Sequence, residues 1–274
     1  STLFTATQAP VVLAPAMNSQ MWRHPAVREN LETLVRRGAH VVEPGSGYLA
    51  CGWTGPGRLA EPDEITSAVE RVLRPSTALV GRRVLVSAGP TYEDLDPVRF
   101  IGNRSSGRMG FAIADEATRR GAAVTLIAGP TSLEPPAVSS LVRIRSAEQL
   151  HDAVLSRSSD MDVVIMAAAV ADYAPVGRAD AKITKSEGPM VLELRRTPDV
   201  LAELGRVRRD RGQGPVLVGF AAETSDAVRK AAEKRTRKHV DLIVANDVSR
   251  PDAGFEVETN ADTLVSADGA TDVP

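Results

Sequence analysis

Residues 98–110, VRFIGNRSSGRMG, link a strand pattern to a helix pattern. The strand and its loop are RRVLVSAGPT at 82–91, and the apolar helix pattern is FAIADEATRRG at 111–121. Small residues stand where the helix begins, namely Ser105, Ser106, Gly107 and Gly110. They leave backbone N–H groups uncovered at a helix N-terminus, and such a position favours an anion. The stretch predicts a strand–loop–helix unit with a phosphate-binding loop, although an ordinary turn whose glycines only allow close packing would show the same pattern.

The alternation of strand and helix patterns runs along nearly the whole chain. Strand patterns cover residues 9–15, 39–44, 83–87, 123–128, 162–170, 190–196, 216–223 and 241–247, and a short hairpin is predicted near 255–266. Helix patterns cover residues 25–38, 63–73, 107–120, 146–157 and 225–239. A further helix is predicted with Thr197 as its N-cap and Pro198 as its first residue. Repeated strand–helix units predict an α/β fold with a Rossmann-like, mostly parallel sheet covered by helices on both faces.

A break in this pattern divides the chain. Residues 74–81, RPSTALVG, have no periodicity and contain Pro and Gly, so we place a domain boundary near residue 80. A length of 274 residues suits one large domain or two modest ones, and the boundary favours two, at 1–80 and 81–274. The chain begins without an initiator Met, and we expect it to be a fragment of a longer protein.

Composition limits the classes of function. A hydrophobic content of 43% and a charged content of 25% are typical of a soluble globular protein. The formal net charge of −2 gives no reason to expect nucleic acid or an anionic membrane as a partner. No apolar run reaches the ~18 residues of a membrane span. The single cysteine, Cys51, rules out an internal disulfide and suits the reducing cytoplasm.

The glycine pattern argues against a nicotinamide-dependent dehydrogenase. The strand at 83–87 is followed by AGPTYEDLDP, which contains a single glycine and no G-x-G-x-x-G. The strand at 123–128 runs into GPT and lacks the acidic residue that would hold a ribose diol. The remaining interpretation is a Rossmann-like sheet that binds phosphates without the G-x-G-x-x-G motif.

The loop at 167–188 follows the carboxyl end of a predicted buried strand, where open α/β sheets bind ligands. Its candidate residues are Ala167, Ala168, Asp172, Lys182 and Lys185. The alanines would let a flat base or sugar approach the backbone, the carboxylate could hold a hydroxyl or a metal ion, and the lysines could reach phosphates. Taken alone, a mobile surface loop with solvated lysines is the commoner explanation.

The helix at 225–239 carries lysines on one face, at positions 230, 234 and 238. Such a stripe would suit a triphosphate, which needs several cations and usually Mg²⁺. Asp226 and Glu233 could equally pair with a stripe that faces solvent. Phe220, near the end of the preceding strand, could stack on a base or belong to the core.

In the first part of the chain, two polar residues follow strand patterns. Asn18 comes directly after a buried strand, and Cys51 lies in the glycine-rich loop at 45–58, a composition that can close over a site. The pattern leaves open whether Cys51 is a buried packing thiol or a proton donor.

Taken together, the motifs resemble the family of bifunctional phosphopantothenoylcysteine decarboxylase/phosphopantothenate–cysteine ligases of bacterial coenzyme A synthesis. In the decarboxylase part the resemblance rests on PAMNSQMW and ACGWTGPGR. In the ligase part it rests on SAGPTYEDLDPVRFIGNRSSGRMGFAIA, AAAVADY, AKITK, TPDVL, GFAAET, KRTRK and DLIVANDV. These stretches cover almost the whole chain in the family's order.

The resemblance implies a CTP-dependent ligation in residues 81–274. The carboxylate of 4′-phosphopantothenate attacks the α-phosphate of CTP to give an acyl-cytidylate and pyrophosphate, and the cysteine amine then displaces CMP. By motif, Asn103 would bind the acyl-cytidylate, Arg99 would hold the substrate, and Lys182 would neutralise charge on the α-phosphate. Asp172 would lie at the nucleotide and its Mg²⁺. The other CTP-contacting positions would be Met166, Ala167, Ala168, Pro198, Asp199, Val200, Leu201, Phe220, Lys234 and Lys238.

For residues 1–80 the resemblance implies part of a flavodoxin-like, Rossmann-like decarboxylase domain. FMN in the complete domain oxidises the cysteinyl thiol of the substrate, Asn18 would bind the carboxylate that leaves, and Cys51 would donate a proton. The family's flavin-binding loop and catalytic histidine are expected before residue 1, because none of the 4 histidines stands at the matching place. The first part is therefore expected to be a truncated decarboxylase.

The resemblance also implies a cytoplasmic homo-oligomer that acts on small molecules. Ligase domains would form dimers, and decarboxylase domains would form a higher assembly. Two other hypotheses have less support. A non-catalytic nucleotide-binding or scaffolding module would keep the lysines but tolerate loss of Asn103, and Asn103 is present in its motif. A stand-alone flavin decarboxylase is untenable for this chain without the upstream half.

Overall fold

The computed structural model describes residues 6–73, 77–185, 188–223, 226–247 and 262–273. The chain divides into two compact units, Ser1–Ser76 and Thr77–Pro274. None of the helices within the described ranges is long and apolar enough to cross a membrane.

The first unit contains a short parallel strand pair and a hairpin. Its elements are β1 (Val11–Leu13), α1 (Ser19–Arg23), α2 (Pro25–Arg36), β2 (Ala39–Val41), β3 (Gly45–Tyr48), β4 (Thr54–Arg58) and α3 (Pro62–Leu73). β1 and β2 run parallel, whereas β3 and β4 are antiparallel. The glycine-rich stretch predicted as a loop therefore contains a hairpin. Its turn closes because Gly52 adopts a φ of 82° and the Leu49 N–H donates to the Trp53 carbonyl.

The second unit alternates strands and helices as the sequence pattern predicts. Its first half consists of β5 (Arg83–Ala88), β6 (Tyr92–Asp94), β7 (Phe100–Gly102), α4 (Arg108–Arg119), β8 (Ala123–Ala128), β9 (Ser140–Arg143), α5 (Ala147–Ser158) and β10 (Val163–Met166). Its second half consists of β11 (Tyr173–Pro175), β12 (Leu194–Arg196), α6 (Val200–Arg211), β13 (Val216–Glu223), α7 (Ala227–Lys238), β14 (Leu242–Asp247), β15 (Asp262–Val265) and β16 (Ala270–Val273).

An eight-stranded sheet forms the centre of this unit, in the order β16-β15-β14-β13-β10-β5-β8-β9. The strands from β14 to β9 are parallel, and β15 and β16 add an antiparallel edge. The chain builds β5, β8 and β9 in one direction and β10, β13 and β14 in the other. The sheet therefore has a switch point between β5 and β10, where open α/β sheets bind ligands. The predicted Rossmann-like, mostly parallel sheet is confirmed.

Helices cover both faces of the sheet. Successive residues of its buried strands point to opposite faces, and both faces are apolar. In β5, Val86 belongs to the apolar cluster that contains Phe111 of α4. Leu85, the neighbouring residue, belongs to the cluster that contains Leu150 of α5 and residues of α6 and α7. α4 therefore covers one face and α5 to α7 cover the other, as right-handed crossovers require.

Residues 98–110 form the predicted link between strand and helix, with a hairpin inserted. β7 pairs with β6 before the chain reaches α4. Gly107 precedes the helix with a φ of 81°, a left-handed conformation that favours glycine. Gly110 lets the helix approach the sheet closely, because a Cβ there would lie only 2.5 Å from the Cβ of Ala88.

One helix start was predicted wrongly. α6 begins at Val200, and its N-cap is Asp199, whose carboxylate accepts the Ala202 N–H at 3.1 Å. Thr197 is not the cap, because its hydroxyl donates to the carbonyl of Ala171 at 2.7 Å. A carboxylate is as good an N-cap as a hydroxyl, and the tertiary bond decides between the two candidates.

Four predicted strands are shorter than expected, and one prediction is only partly described. In the first unit, the strands predicted at 9–15 and 39–44 are reduced to β1 and β2, of 3 residues each. The strand at 162–170 ends at Met166, because the Ala168 N–H already donates to the hydroxyl of Ser87. The strand at 190–196 is reduced to β12, whose partner β11 is only 3 residues long. Of the hairpin predicted near 255–266, residues 255–261 lie outside the described residues, and β15 covers 262–265.

Candidate functional site

Hydrogen bonds join the loops that follow β5 and β10 at the switch point. The Thr91 N–H donates to the Ala169 carbonyl at 3.3 Å, and the Ala169 N–H donates to the Gly89 carbonyl at 2.9 Å. The buried hydroxyl of Thr91 accepts the Ala171 N–H at 3.0 Å. These bonds fix the first residues of the predicted ligand loop at the carboxyl edge of the sheet.

A pocket of about 500 Å³ opens beside this point, toward the carboxyl ends of β10 and β13. It brings together ten of the twelve residues predicted to contact a nucleotide: Met166, Ala168, Asp172, Pro198, Asp199, Val200, Leu201, Phe220, Lys234 and Lys238. The other two, Ala167 and Lys182, do not line it. The lining residues that the sequence reasoning missed are Val170, Tyr173, Arg196 and Thr197. Each stands within two positions of a predicted residue, so adjacency in the sequence was the available signal.

The lining combines an apolar surface with a cationic surface. Leu201, Phe220 and Met166 supply apolar side chains, and Lys234 and Lys238 supply ammonium groups. A flat base suits the first surface, because rings bind by stacking and burial of apolar area. Phosphates suit the second, because charge-assisted hydrogen bonds hold them. The pocket is therefore suited to a nucleotide.

The ammonium groups of Lys234 and Lys238 each donate a hydrogen bond to an acceptor of the protein. The Nζ atom of Lys234 donates to the Phe220 carbonyl at 2.7 Å. The Nζ atom of Lys238 donates to Oδ1 of Asp199 at 2.8 Å, and the Lys238 side chain is only 14% exposed. Burial by itself raises the pKa of Asp199, but the hydrogen bonds from Lys238 and from the Ala202 N–H, together with the charges of both lysines, lower it overall. Asp199 is therefore ionised at neutral pH and both caps α6 and orients Lys238.

Asn103 contacts a residue of the pocket lining. Its Nδ2 atom donates to the Val170 carbonyl at 2.8 Å. Arg99 lies on the preceding turn, where its Nη1 atom donates to the Ile183 carbonyl at 3.1 Å. Lys182 directly precedes Ile183, so Arg99 and Lys182 belong to one hydrogen-bonded loop pair.

In the predicted phosphate loop, serine hydroxyls accept hydrogen bonds from backbone N–H groups of the same loop. The hydroxyl of Ser105 accepts the Gly107 N–H at 3.3 Å, and the hydroxyl of Ser106 accepts the Arg108 N–H at 3.4 Å. The three residues predicted to bind phosphate, Ser105, Ser106 and Gly107, are not part of the pocket lining. Their role stays a prediction.

Asp172 is the carboxylate best suited to a metal ion. Within the described residues, no group of 3 or more His, Cys, Asp and Glu side chains is arranged to hold a metal. Mg²⁺ that binds together with substrate phosphates needs only one or two protein carboxylates. Asp172 is exposed at the pocket, whereas Asp199 is engaged by Lys238. The lining thus fits a nucleotide-bound Mg²⁺ and not an all-protein cage.

In the first unit, the two predicted residues are in contact. The Nδ2 atom of Asn18 lies 3.3 Å from Sγ of Cys51, and its Oδ1 atom accepts the Gln20 N–H at 2.8 Å to cap α1. Gly57 lets β4 pack against this turn, because a Cβ there would lie 2.1 Å from the Met17 carbonyl oxygen. Cys51 is exposed, so it is not a buried packing thiol.

The surroundings of this pair suit the substrate side of a flavin site. Tyr48 and Trp53, on either side of Cys51 in the sequence, are exposed aromatic residues. An amide donor, a thiol and aromatic surface can hold a carboxylate beside a flat cofactor. These groups are the candidates for the predicted site next to FMN.

Comparisons with known proteins agree with both parts. Residues 79–274 match the family described as DNA/pantothenate metabolism flavoprotein C-terminal domain, and residues 1–74 match the flavoprotein family. The chain is 46% identical over 272 residues to the coenzyme A biosynthesis bifunctional protein CoaBC of Bacillus subtilis, with 98% of this chain and 66% of that protein covered. It is 49% identical over 282 residues to the protein of the same name from Mycobacterium tuberculosis H37Rv, with 98% and 67% covered.

A solved structure agrees as well. The crystal structure of the C-terminal domain of a CoaBC protein has a TM-score of 0.60 and 40% identity, covering 73% of this chain and 89% of that chain. The chain spans about two thirds of the length of the curated relatives, 66% and 67%. With a flavoprotein match followed by a pantothenate-metabolism match in one chain, it belongs to the family of the bifunctional coenzyme A biosynthesis proteins CoaBC.

Proposed function

We propose that the second unit catalyses the CTP-dependent ligation of 4′-phosphopantothenate with cysteine, through an acyl-cytidylate. The observation that carries this proposal is the pocket at the carboxyl ends of β10 and β13, whose lining combines apolar side chains with two anchored lysines, Lys234 and Lys238. The names of the relatives, which are coenzyme A biosynthesis proteins, agree with a reaction of this class.

In the first step, a carboxylate oxygen of the substrate attacks the α-phosphorus of CTP. The bond to the bridging oxygen breaks, and pyrophosphate leaves with the electron pair. Phe220 and Leu201 would receive the cytosine, and Lys234 and Lys238 would neutralise phosphate charge. Lys182 would approach the α-phosphate from its loop. Asp172 would hold Mg²⁺ together with the phosphates, and the ion would supply further charge neutralisation.

In the second step, the amine of cysteine attacks the acyl carbon, and CMP leaves as the amide forms. Negative charge develops on the acyl oxygen during this attack, and a neutral donor stabilises it. Asn103 has two amide N–H groups, of which one is bonded to the Val170 carbonyl. That bond orients the side chain, and the second N–H would donate to the acyl oxygen. Arg99 would hold the substrate on the same side.

We also propose that the first unit takes part in the decarboxylation of the ligation product to 4′-phosphopantetheine in the full-length protein. The chemistry that FMN would supply in the complete domain is reversible two-electron oxidation of the substrate thiol. The Nδ2 atom of Asn18 would hold the carboxylate that leaves as carbon dioxide. The thiol of Cys51, at 3.3 Å from that amide, would supply a proton to the product.

The proposal extends to assembly and location. Ligase units would form dimers, and decarboxylase units would form the higher assembly. A cytoplasmic location suits the chemistry, because free cysteine remains a thiol in that compartment.

The decisive experiment mixes the protein with 4′-phosphopantothenate and CTP, with and without cysteine, and measures pyrophosphate and CMP. Without cysteine we expect pyrophosphate release limited to about one equivalent per site, because the acyl-cytidylate stays bound. With cysteine, both products should form continuously, and ATP in place of CTP tests the choice of base. CTP binding without pyrophosphate release would contradict the proposal and favour a non-catalytic nucleotide-binding module.

A further inference from the structure

A fully buried carboxylate lies beside the loop that carries Lys182. The side chain of Asp96 is 0% exposed, and both its carboxylate oxygens accept hydrogen bonds from protein donors. Its Oδ1 atom accepts the backbone N–H groups of Val98 at 2.7 Å and of Arg99 at 2.8 Å. Its Oδ2 atom accepts the Ile183 N–H at 3.0 Å and Nη1 of Arg99 at 3.3 Å. One oxygen therefore shapes its own turn, and the other reaches a distant segment.

The distant segment is the loop around Ile183, and both the backbone N–H and the backbone carbonyl of Ile183 are hydrogen-bonded. Ile183 is 87 positions from Asp96, and its N–H donates to that carboxylate. Its carbonyl accepts Nη1 of Arg99 at 3.1 Å. A third bond, from the Ala179 N–H to the Leu95 carbonyl at 2.9 Å, ties the same loop to the same turn. The backbone next to Lys182 is thus fixed by residues 95–99.

We propose that Asp96 is a positioning residue for the ligation, which places Lys182 at the α-phosphate by clamping Ile183. The proposal rests on the proposed function of the pocket. A carboxylate is suited to this task because ionised oxygens accept several hydrogen bonds and donate none. An asparagine would turn an N–H toward the Ile183 N–H and the guanidinium, and two facing donors repel each other. Asp96 acts through Lys182 and does not touch the nucleotide.

The first test is kinetic. In Asp96→Asn, the single-turnover rate of pyrophosphate release without cysteine should fall about 100-fold, because small misplacements of a catalytic group have effects of this size. KM for CTP should change by less than about threefold, since the pocket lining is intact. Asp94→Asn is the matched control, because Asp94 bonds to Arg145 and faces Arg178 of the same loop at 3.9 Å but does not bond to Ile183. A loss of equal size in the control, or a loss confined to KM, would overturn the proposal.

A double-mutant cycle separates positioning from general damage. In the Lys182→Gln background, Asp96→Asn should lower the rate of pyrophosphate release by less than about threefold, because the ammonium group that Asp96 positions is already gone. Multiplicative losses would mean that Asp96 does not act through Lys182.

The second test does not depend on ligation. Trypsin cuts the Lys182–Ile183 bond only when the loop opens, so native wild-type protein should be cut there slowly. Asp96→Asn should speed this cut about tenfold, as identified by mass spectrometry of the fragments, and Asp94→Asn should not. An unchanged cut overturns the clamp even if the enzyme is a ligase. An accelerated cut in a protein without pyrophosphate release keeps the clamp and refutes the proposed function.

A second variant covers the case in which Asp96→Asn fails to fold. Ile183→Pro removes the N–H that Asp96 accepts and leaves the buried carboxylate in place, although it also fixes φ at residue 183 and restricts the backbone of Lys182. Trypsin does not cut before proline, so the Lys182–Pro bond of this variant is resistant. Opening of its loop is therefore measured by cleavage after Lys185. Faster cleavage there and a slower pyrophosphate step support the clamp, and wild-type behaviour in both measurements contradicts it.

Discussion

Anchored charges support the proposal that this pocket binds a triphosphate. Lys234 and Lys238 are held by a carbonyl and a carboxylate, so little side-chain entropy is lost when phosphates arrive. Asp199 limits the local positive charge, and it also fixes the direction of one ammonium group. Phosphates can then bind to donors that already point into the pocket, which is the arrangement expected for electrostatic stabilisation of a transferring phosphoryl group.

The contribution of Lys238 can be measured directly. Lys238→Gln should weaken CTP binding about tenfold, or ~1.4 kcal/mol, because a charged donor to phosphate is lost. Isothermal titration with CTP and Mg²⁺ measures the change. Lys230→Gln is the matched control, since Lys230 lies on the same helix and does not line the pocket. Equal weakening in both variants would show that only the overall charge of α7 matters.

Asn103 is expected to act in the second step of the reaction. Asn103→Asp should leave pyrophosphate release within about threefold of wild type and slow amide formation about 100-fold, because a carboxylate cannot donate to the developing oxyanion. Rapid-quench measurement of both products with and without cysteine tests this. Asn103→Gln, which keeps the donor on a longer side chain, should retain more activity than the aspartate variant. Wild-type turnover in Asn103→Asp would remove the residue from the mechanism.

Sequence reasoning found the pocket residues but not what holds them. Ten of the lining residues were predicted, and four of these, Pro198 to Leu201, belong to the short motif TPDVL at the start of α6. The role of Asp96 carried no such signal, because its partner is 87 positions away and bonds through its backbone. Tertiary hydrogen bonds to backbone atoms leave no trace in a single sequence.

One histidine adds a polar contact between α5 and α6, beside their shared apolar cluster. His151 on α5 approaches Oε2 of Glu203 on α6 with its Nε2 atom at 3.0 Å, and its Nδ1 atom lies 2.9 Å from Oδ1 of Asp152. The hydrogen bonds to Asp152 and then to Glu203 raise the pKa of His151 above its usual value of 6.5. Because α6 begins at the pocket, this contact supports the helix that carries Asp199.

The raised pKa predicts the sign of a pH effect. A group whose pKa is higher in the folded state contributes stability that is fully present below about 6.5 and is lost as the pH rises through the folded-state value. Hydrogen exchange of the α5 amides, corrected for the intrinsic rate, should therefore speed up with pH in that range. His151→Gln should abolish this dependence, and His40→Gln, at an exposed position of the first unit, should keep it. An unchanged profile in His151→Gln would contradict the assignment.

Boundaries of elements followed from the sequence wherever local signals and tertiary contacts agreed. The strand at 123–128 was predicted to the residue, since a buried strand of a parallel sheet is a continuous apolar run. The start of α6 was missed because Thr197 and Asp199 are both good caps, and only the bond from Thr197 to Ala171 distinguishes them. The β6–β7 hairpin was missed because strands of 3 residues are too short to show a period of two.

An apolar surface on the second unit supports the proposed dimer. β6–β7 and β11–β12 lie next to each other, through contacts between β6 and β11. Large apolar side chains on and around these hairpins are exposed, namely Val98, Phe100, Tyr173, Val176, Met190, Val191, Leu192 and Leu194. Val191 is 90% exposed, which is costly for an apolar side chain in water unless another surface covers it. A second copy of the chain, with the same surface, would cover it by a two-fold axis.

Charge placed on this surface should dissociate the assembly. Val176→Asp combined with Val191→Asp should raise the dissociation constant of the ligase dimer at least about 100-fold, because each buried carboxylate would lose its hydration without gaining a partner. Light scattering after size exclusion, over a range of micromolar concentrations, measures the mass. Val228→Asp is the control, since Val228 is an exposed valine on α7, away from both hairpins. If the double variant keeps the mass of the wild type, these hairpins are not the interface. If the wild type is already monomeric, the proposed dimer itself is wrong.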